Sequence, residues 1–255
     1  MPAIPASLHA LLSNLIDYAG LYPPAALPLH DVAEKYAAYR SSPYSWMLNR
    51  VVLPAAKLAE ASMSEGWRIT VLVDSEPGTL PPQVETLETK LPHRLSLPTY
   101  CEAPLNHIAG AFAKVRTGGL TPGAIPSPET IADFLYDAAK GRMPFKATAG
   151  LHHPIRSLRP LTYAADSPRA VVHGFINVFT AAAFAWHGAE RDLLAAILTE
   201  EDSRAFEFTD DELRWRGRRL SSAQIQIARA EFAHSFGSCS FEEPVADLRE
   251  IGYLS

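Results

Sequence analysis

The residues best suited to chemistry stand near the ends of two predicted β-strands in the middle of the chain. Lys114 and Arg116 end one of these strands, and Lys146 and Thr148 end the next. Side chains two residues apart share one face of a strand, so each pair points the same way. If both pairs line one cavity, three cations meet there, which is costly unless an anion or carboxylates neutralise them. The pattern therefore predicts a site for a small anionic ligand, a carboxylate or a phosphate.

These residues suggest a reaction at a lysine. Crowding by other cations lowers the pKa of the most buried lysine and frees its amine to attack a carbonyl; the apolar neighbours of Lys146 make it the predicted nucleophile. We expect Lys114 to assist and Arg116 to hold the anion through two hydrogen bonds. Gly118 and Gly119 follow the first strand and let backbone N–H groups approach a ligand closely. The alternative is that the lysines end their strands in solvent beside ordinary surface acids.

Two adjacent histidines follow the second strand. His152 and His153 open a connection that runs to residue 167 with little predicted structure, which is typical of a functional lid. An imidazole titrates near neutral pH, so either residue is a candidate general acid or base. The alternative is a divalent metal held by both histidines and nearby acids, although adjacent histidines are not a recognised ligand spacing and we assign no metal ligands.

Other polar residues are predicted to bind the substrate. Glu102 follows a strand and can balance the lysines, Arg50 adds a cation from an earlier strand, and Ser238 lies in a turn of small residues before a helix. His173 and Asn177 lie one turn apart on an apolar helix. Because buried polar groups need partners, these two either bond to a neighbouring loop or line the cavity.

The composition excludes several classes of protein. The chain has 255 residues, of which 47% are hydrophobic and 20% charged, so it is globular rather than disordered. A net charge of −5 gives no reason to expect a nucleic-acid or anionic-membrane partner. Cys101 and Cys239 have no metal-binding spacing and predict reduced, inert thiols in the cytoplasm; the sequence places no base beside Cys239. No signal peptide is expected at the start of the chain, and the apolar stretch 170–186 is shorter than a bilayer needs.

Short apolar runs alternate with helical segments along the chain, which is typical of parallel βαβ units. Eight regular units are not visible. The sequence therefore predicts an irregular or incomplete (β/α)8-type barrel, with an open doubly wound sheet as the alternative. We expect residues 1–255 to form a single α/β domain, with a helical segment over 1–42 packed on it. The predicted strands are 46–53, 67–73, 94–100, 111–116, 143–148 and 232–236, a hairpin spans 206–215, and the predicted helices are 7–18, 31–40, 54–65, 81–90, 127–141 and 170–186, with two more starting near 221 and 244.

Two segments carry resemblances. FKATAGLHHP (145–154) and FGSCSFEEP (236–244) resemble a family of uncharacterised bacterial proteins, which implies no activity. The five residues 146–150 are similar to the Lys-x-Ser/Thr-x-Gly strand ends of class I aldolases of the deoxyribose-phosphate type. That similarity implies a Schiff base at Lys146, and it implies that Lys114 stands where the family has a second lysine that assists. Arg116 and the His-His-Pro tail depart from the aldolase pattern.

Together these features predict a cytoplasmic enzyme that acts on a small anionic metabolite without a cofactor, by a lyase or aldolase-type reaction. Lys146 would form the imine, and His152 or His153 would move protons. Two alternatives stay open: a metal-dependent lyase or hydrolase that uses the two histidines, and a metabolite-binding protein without catalysis. No nucleic-acid or membrane partner is expected, and homo-oligomerisation is left open.

Overall fold

The fold is a closed barrel of parallel strands with an insertion before its last strand. The computed structural model describes residues 4–61 and 66–255. The described strands are β1 (Ile16–Tyr18), β2 (Leu48–Pro54), β3 (Ile69–Leu72), β4 (Val84–Thr89), β5 (Thr99–Cys101), β6 (Phe112–Arg116), β7 (Phe145–Thr148), β8 (Ser157–Pro160), β9 (Arg169–Val172), β10 (Phe206–Phe208), β11 (Glu212–Trp215), β12 (Arg218–Ser221) and β13 (Ala233–Ser238). The described helices are α1 (Ala6–Leu12), α2 (Leu29–Arg40), α3 (Pro128–Lys140), α4 (Phe175–Trp186), α5 (Arg191–Thr199), α6 (Ser222–Glu231) and α7 (Glu242–Glu250).

The barrel strands follow one another in chain order. Strands β1 to β7 pair in sequence, and β13 closes the ring by pairing with β7 on one side and β1 on the other. The predicted (β/α)8-type barrel is confirmed, and the open sheet is wrong. The irregularity lies in the connections. The segments 73–83 and 90–98, which the structure describes in full, join β3 to β4 and β4 to β5 without an α-helix.

The insertion between β7 and β13 holds two small antiparallel sheets and three helices. Strands β8 and β9 form a hairpin, and β10, β11 and β12 form a three-stranded meander. Helix α4 packs its apolar surface on the barrel, where Phe175 and Phe179 stack near Phe236 of β13. All residues of α4 except Trp186 are buried. In the described ranges, no helix is both long and apolar enough to cross a membrane.

Helix α3 shows how local sequence sets an element that supports the site. Ser127 accepts a hydrogen bond from the backbone N–H of Thr130, and Pro128 occupies the first helical position, where its missing N–H is not needed. Ile131 and Leu135 then bury one face of the helix. The predicted helix 127–141 is confirmed, and it joins β6 to β7, the two strands that carry the lysines.

Two predicted helices are wrong in ways that matter for the site. The segment 81–90 contains β4 instead, because its β-branched residues and Leu87 bury on both faces of a barrel strand. The opening helix ends at Leu12, and the fully buried β1 follows it. The N-terminal segment 1–42, predicted to pack on the barrel as helices, therefore supplies one of the barrel strands.

Smaller differences concern element ends. The helix predicted over 54–65 is a 3-10 turn at Ala55–Lys57, and residues 62–65 lie outside the described residues. The strand predicted over 94–100 is reduced to β5. The apolar helix starts at Phe175 because the preceding residues form β9, which pairs with β8. The connection after the two histidines is thus a hairpin rather than an unstructured loop.

Candidate functional site

A cavity of about 530 Å³ opens at the carboxyl ends of the barrel strands. This end of a (β/α)8 barrel is formed by the loops that follow the strands, and it is where such barrels bind ligands. The residues that line the cavity include apolar groups from β2 and β3 and polar groups from β4, β6, β7 and the turn after β13. Its main polar lining residues are Tyr22, Glu88, Lys114, Arg116, Thr148, His152, His153, Tyr163, Cys239 and Glu243.

Two segments cover the mouth of the cavity. The loop after β1 contributes Ala19 and Tyr22, and the tip of the β8–β9 hairpin contributes Leu161, Thr162 and Tyr163. The hairpin occupies the place of the predicted lid. The first segment directly follows β1, and the hairpin follows the loop after β7 that holds His152 and His153. The barrel therefore sets the positions of both segments at the cavity.

The barrel interior below the cavity holds a buried ion pair network centred on Lys146. Its ammonium donates to Asp17 Oδ2 at 2.5 Å and to Glu88 Oε1, and its side chain is 1% exposed. Ser235 donates a further hydrogen bond to Asp17 at 2.7 Å. Buried charges persist only when they are paired and hydrogen-bonded, and both conditions are met here.

The network continues upward through Lys114 to the rim. Lys114 Nζ lies 2.8 Å from Glu88 Oε2 and 3.3 Å from Glu102 Oε2. Arg116 donates to Glu102 from Nε at 3.2 Å and from its terminal nitrogen at 3.1 Å, with half of its side chain exposed. Acids and bases therefore alternate from the barrel centre to its mouth; the three cations belong to one ion-pair network, of which Lys114 and Arg116 line the cavity and Lys146 does not.

The predicted electrostatics of Lys146 are wrong. Burial by itself lowers the pKa of this lysine, but its ion pairs with Asp17 and Glu88 outweigh burial and raise the pKa above the ordinary value. Burial likewise opposes charge on Glu88, yet the two lysines lower its pKa to about 2. Lys146 is therefore a firmly protonated cation, and carboxylates, one of the two kinds of partner that the sequence left open, neutralise the cations of the network.

Two glycines bring the strand ends of β6 and β7 into backbone contact. A Cβ atom on Gly118 would lie 3.0 Å from the Cα of Gly150, and one on Gly150 would lie 2.9 Å from the Cα of Gly118. Gly150 also has a positive φ of 81°. Thr117 reinforces the contact by donating its hydroxyl to the carbonyl of Ala149 at 2.5 Å. Gly118 and Gly119 both line the cavity, and the role of Gly118 in the fold is this close approach to Gly150.

The part of the cavity wall that follows β7 and β13 carries a cysteine, a histidine and a glutamate in contact. Cys239 Sγ lies 3.9 Å from His152 Nε2, and His152 Nδ1 lies 3.0 Å from Glu243 Oε2. Burial opposes charge on the imidazole, but Cys239 and Glu243 raise the pKa of His152 to about 9. Burial also opposes charge on the thiol, but His152 lowers the pKa of Cys239 below its ordinary value. The expectation that no base lies beside Cys239 is wrong.

His153 points away from this group. Its Nδ1 lies 2.6 Å from Asp247 Oδ2, and Arg159 reaches the same carboxylate at 3.5 Å. Burial lowers the pKa of His153 despite the contact with Asp247. The two adjacent histidines thus engage separate acids. Within 4–61 and 66–255, no group of three His, Cys, Asp or Glu side chains is arranged to hold a metal ion.

Four residues predicted to bind substrate lie outside the cavity lining. Arg50 is the third residue of β2 and therefore lies near the amino-terminal end of the barrel, where it donates to Glu85 at 2.7 Å. His173 Nε2 bonds the carbonyl of Pro126 at 2.8 Å. Asn177 is wholly buried and ties three backbone groups of the insertion together. Ser238 donates to the carbonyl of Ser240 at 2.7 Å and shapes the turn before Cys239. These contacts are structural.

Tyr22 adds a polar group that the sequence did not single out. Its hydroxyl is buried at the cavity and has no hydrogen-bond partner among the residues that the structure describes. Burial, followed by the nearby charge of Glu88, raises its pKa and keeps it a neutral donor. A buried hydroxyl without a partner is costly, so a bound molecule that accepts its hydrogen bond would be favoured.

Comparison of the chain with models of protein families, with curated proteins and with solved structures finds no match. The two resemblances noted in the sequence therefore stay predictions.

Proposed function

We propose that the protein is a lyase of the aldolase type that forms an imine at Lys114 with a small carbonyl compound. One observation carries the proposal: Lys114 is the lysine that reaches the cavity, and two carboxylates lie within 3.3 Å of its amine. An amine of this kind can add to a carbonyl carbon, because proton acceptors and donors stand beside it.

The choice of Lys114 over Lys146 follows from access and bonding. Lys146 does not line the cavity and is held between Asp17 and Glu88 with a raised pKa. Freeing its amine would leave two buried carboxylates without their cation. Lys146 instead fixes Glu88 in place, and Glu88 positions Lys114. The predicted roles of the two lysines are thereby exchanged in this proposal.

The proton steps use groups already in contact. Lys114 gives a proton to Glu102, and its neutral amine adds to the carbonyl carbon. The oxygen of the adduct takes one proton from this carboxylic acid and a second from the amine nitrogen, relayed by the same carboxylate, and it leaves as water as the protonated imine forms. The bond between the first and second carbons beyond the imine carbon then breaks, and its electron pair moves to the protonated imine to give an enamine; Glu102 takes the proton of the hydroxyl on the second carbon, and that fragment leaves as an aldehyde. Glu102 returns the proton to the enamine carbon, and water hydrolyses the imine to release the remaining carbonyl compound and restore the lysine.

The remaining groups suit recognition of a small oxygenated molecule. Tyr22 has a free donor for a hydroxyl or carbonyl oxygen, and Thr148 presents a hydroxyl from β7. Arg116 stands at the rim with half of its side chain exposed, where its guanidinium can contact an anionic group. We therefore propose a short aldehyde or ketone that carries a carboxylate or phosphate as the substrate class.

Borohydride trapping tests the proposal. The protein is incubated with short aldehydes, 2-keto acids or aldehyde phosphates, reduced with borohydride, and digested for peptide mass spectrometry. The expected adduct lies on Lys114, forms at pH 7 and is competed by the unreacted anionic compound. Lys114→Met abolishes it, whereas the exposed Lys57→Met does not.

The control lysines make the result decisive. Lys57 pairs with Glu60 on the surface and reports non-specific reaction with the aldehyde. If Lys57 is labelled as fast as Lys114, or if the adduct lies on Lys146, the proposed role of Lys114 is wrong.

A further inference from the structure

Cys239, His152 and Glu243 form a connected group that the imine reaction does not use. His152 is far from the other two residues in sequence: Cys239 and His152 are separated by 87 positions, and they meet because β7 and β13 are neighbours in the barrel. Cys239 follows β13, His152 follows β7, and Glu243 lies in the first turn of α7. All three line the same cavity.

The bonding order within the group is that of a nucleophile, a base and a residue that orients the base. One imidazole nitrogen faces the sulfur and the other faces the carboxylate, so a cationic His152 is satisfied on both sides. Tyr163 Oη donates to Glu243 at 3.3 Å and lies 3.7 Å from Cys239 Sγ. A thiol held beside an oriented imidazolium becomes a thiolate, the reactive form of cysteine.

The other cysteine shows what an inert thiol looks like in this chain. Cys101 is buried in β5, its Sγ lies 3.6 Å from the carbonyl of His93, and burial raises its pKa. Cys239 is also buried, but it lines the cavity and its sulfur contacts an imidazole instead of a carbonyl. The position of Cys239 is therefore suited to a ligand rather than to packing alone.

We propose that Cys239 is a second nucleophile of the cavity, which adds reversibly to the carbonyl carbon of an aldehyde with His152 as the proton donor. The sulfur–carbon bond forms as the carbonyl π pair moves to oxygen, and His152 Nε2–H protonates that oxygen to give a thiohemiacetal. The reverse steps release the aldehyde and return the proton to His152. No leaving group, oxidant or further reactant is needed.

The charges that face this group define its pH response. Glu243 and the hydroxyl of Tyr163 contact it directly, and the ring of His153 lies 6.5 Å from that of His152. Asp247 and Arg159 lie beyond His153 and pair with each other. Because the contacts to Cys239 and His152 favour the charged pair, thiol reactivity should already be near its maximum at pH 7.

Alkylation by iodoacetamide tests the nucleophile. Cys239 should react at pH 7 at least about tenfold faster than an ordinary thiol, with a rate that changes little between pH 7 and 9. His152→Gln should lower the rate about tenfold and restore a steep rise with pH. His187→Gln, which alters an imidazole outside the cavity that bonds the carbonyl of Gln224, should leave the profile unchanged. A wild-type rate that rises steeply up to pH 9 would overturn the proposal without reference to any variant.

Carbon-13 NMR with acetaldehyde labelled at the carbonyl carbon tests the adduct. The wild-type protein should show a thiohemiacetal resonance that Cys239→Ser removes and Lys114→Met retains. Persistence of the resonance in Cys239→Ser, or its absence from the wild type, would show that Cys239 does not add to the aldehyde. Because Lys114→Met removes the amine that would form the imine and leaves Cys239 and His152 in place, failure of the cysteine proposal and failure of the lysine proposal give different spectra.

Discussion

Glu88 is the residue whose removal should disturb the site most. It is 3% exposed and accepts from both Lys114 and Lys146, so Glu88→Gln leaves two buried ammonium groups to share Asp17 and Glu102. Breaking one partner of a buried ion pair typically costs about 3–5 kcal/mol. The fall in the pKa of Glu88 from 4.5 to about 2 independently corresponds to about 3 kcal/mol. The two routes agree on a loss of about 3 kcal/mol or more.

The control for this variant lies on the same strand. Glu85 pairs with Arg50 and Arg68 at the other end of the barrel and is one-third exposed, so Glu85→Gln should cost about 1 kcal/mol or less. Urea unfolding of both variants and the wild type measures the difference, which we expect as a shift of about 1 M in the midpoint for Glu88→Gln. If both variants unfold within about 1 kcal/mol of the wild type, Glu88 does not support the charges of the lysines.

The destabilisation caused by Glu88→Gln should depend on pH. Because the pKa of Glu88 is lower in the folded than in the unfolded protein, its stabilising contribution is fully present above about pH 4.5. The contribution is lost as the pH falls toward about 2. The difference in unfolding free energy between the wild type and Glu88→Gln should therefore narrow below pH 4.5. A difference that stays constant from pH 7 to pH 3 would contradict the assignment of the low pKa to Glu88.

Three further variants test the supports of the site. Gly150→Ala should destabilise the protein by about 2–3 kcal/mol, because the added Cβ would meet backbone at 2.9 Å. Gly188 also has a positive φ but has open space around it, so Gly188→Ala should cost about 1 kcal/mol. Equal shifts in melting temperature for the two variants would show that the predicted clash at Gly150 does not occur. Asn177→Ala should cost about 3 kcal/mol by releasing three backbone partners, with the rate of iodoacetamide labelling at Cys239 unchanged in folded protein. Lys146→Met should destabilise the wild-type protein strongly, and it should destabilise the Asp17→Asn protein less, because the partner carboxylate is already gone. A double-mutant cycle of urea unfolding measures this difference. Additive losses of unfolding free energy would mean that the two side chains do not interact.

The sequence predicted the cations of the site but not their partners. Alternation along a strand predicted that Lys114 shares a face with Arg116 and Lys146 with Thr148, but not which face is inward; Glu102 followed from its position after β5. Asp17 and Glu88 were missed because their segments carry apolar and polar residues at spacings that also fit a helix. Parallel strands buried on both faces lack the alternation that distinguishes them, and only pairing with neighbours settles their structure.

The cysteine group could not be predicted from one sequence because it depends on which strands are neighbours. Cys239 and His152 follow β13 and β7, and the insertion of helices and small sheets between these strands hides their adjacency. The sequence showed two separate loops, each ending a strand. A prediction that the barrel closes in chain order would have brought the two loops together.

The reactivity of Lys114 is tested most directly by a crystal structure of the protein reduced with borohydride in the presence of a bound carbonyl compound. Continuous electron density should run from Nζ of Lys114 into the cavity, with Lys146 still held between Asp17 and Glu88. Density that joins the carbonyl compound to Lys146, or a bound compound that lies in the cavity without a bond to Lys114, would contradict the proposed chemistry.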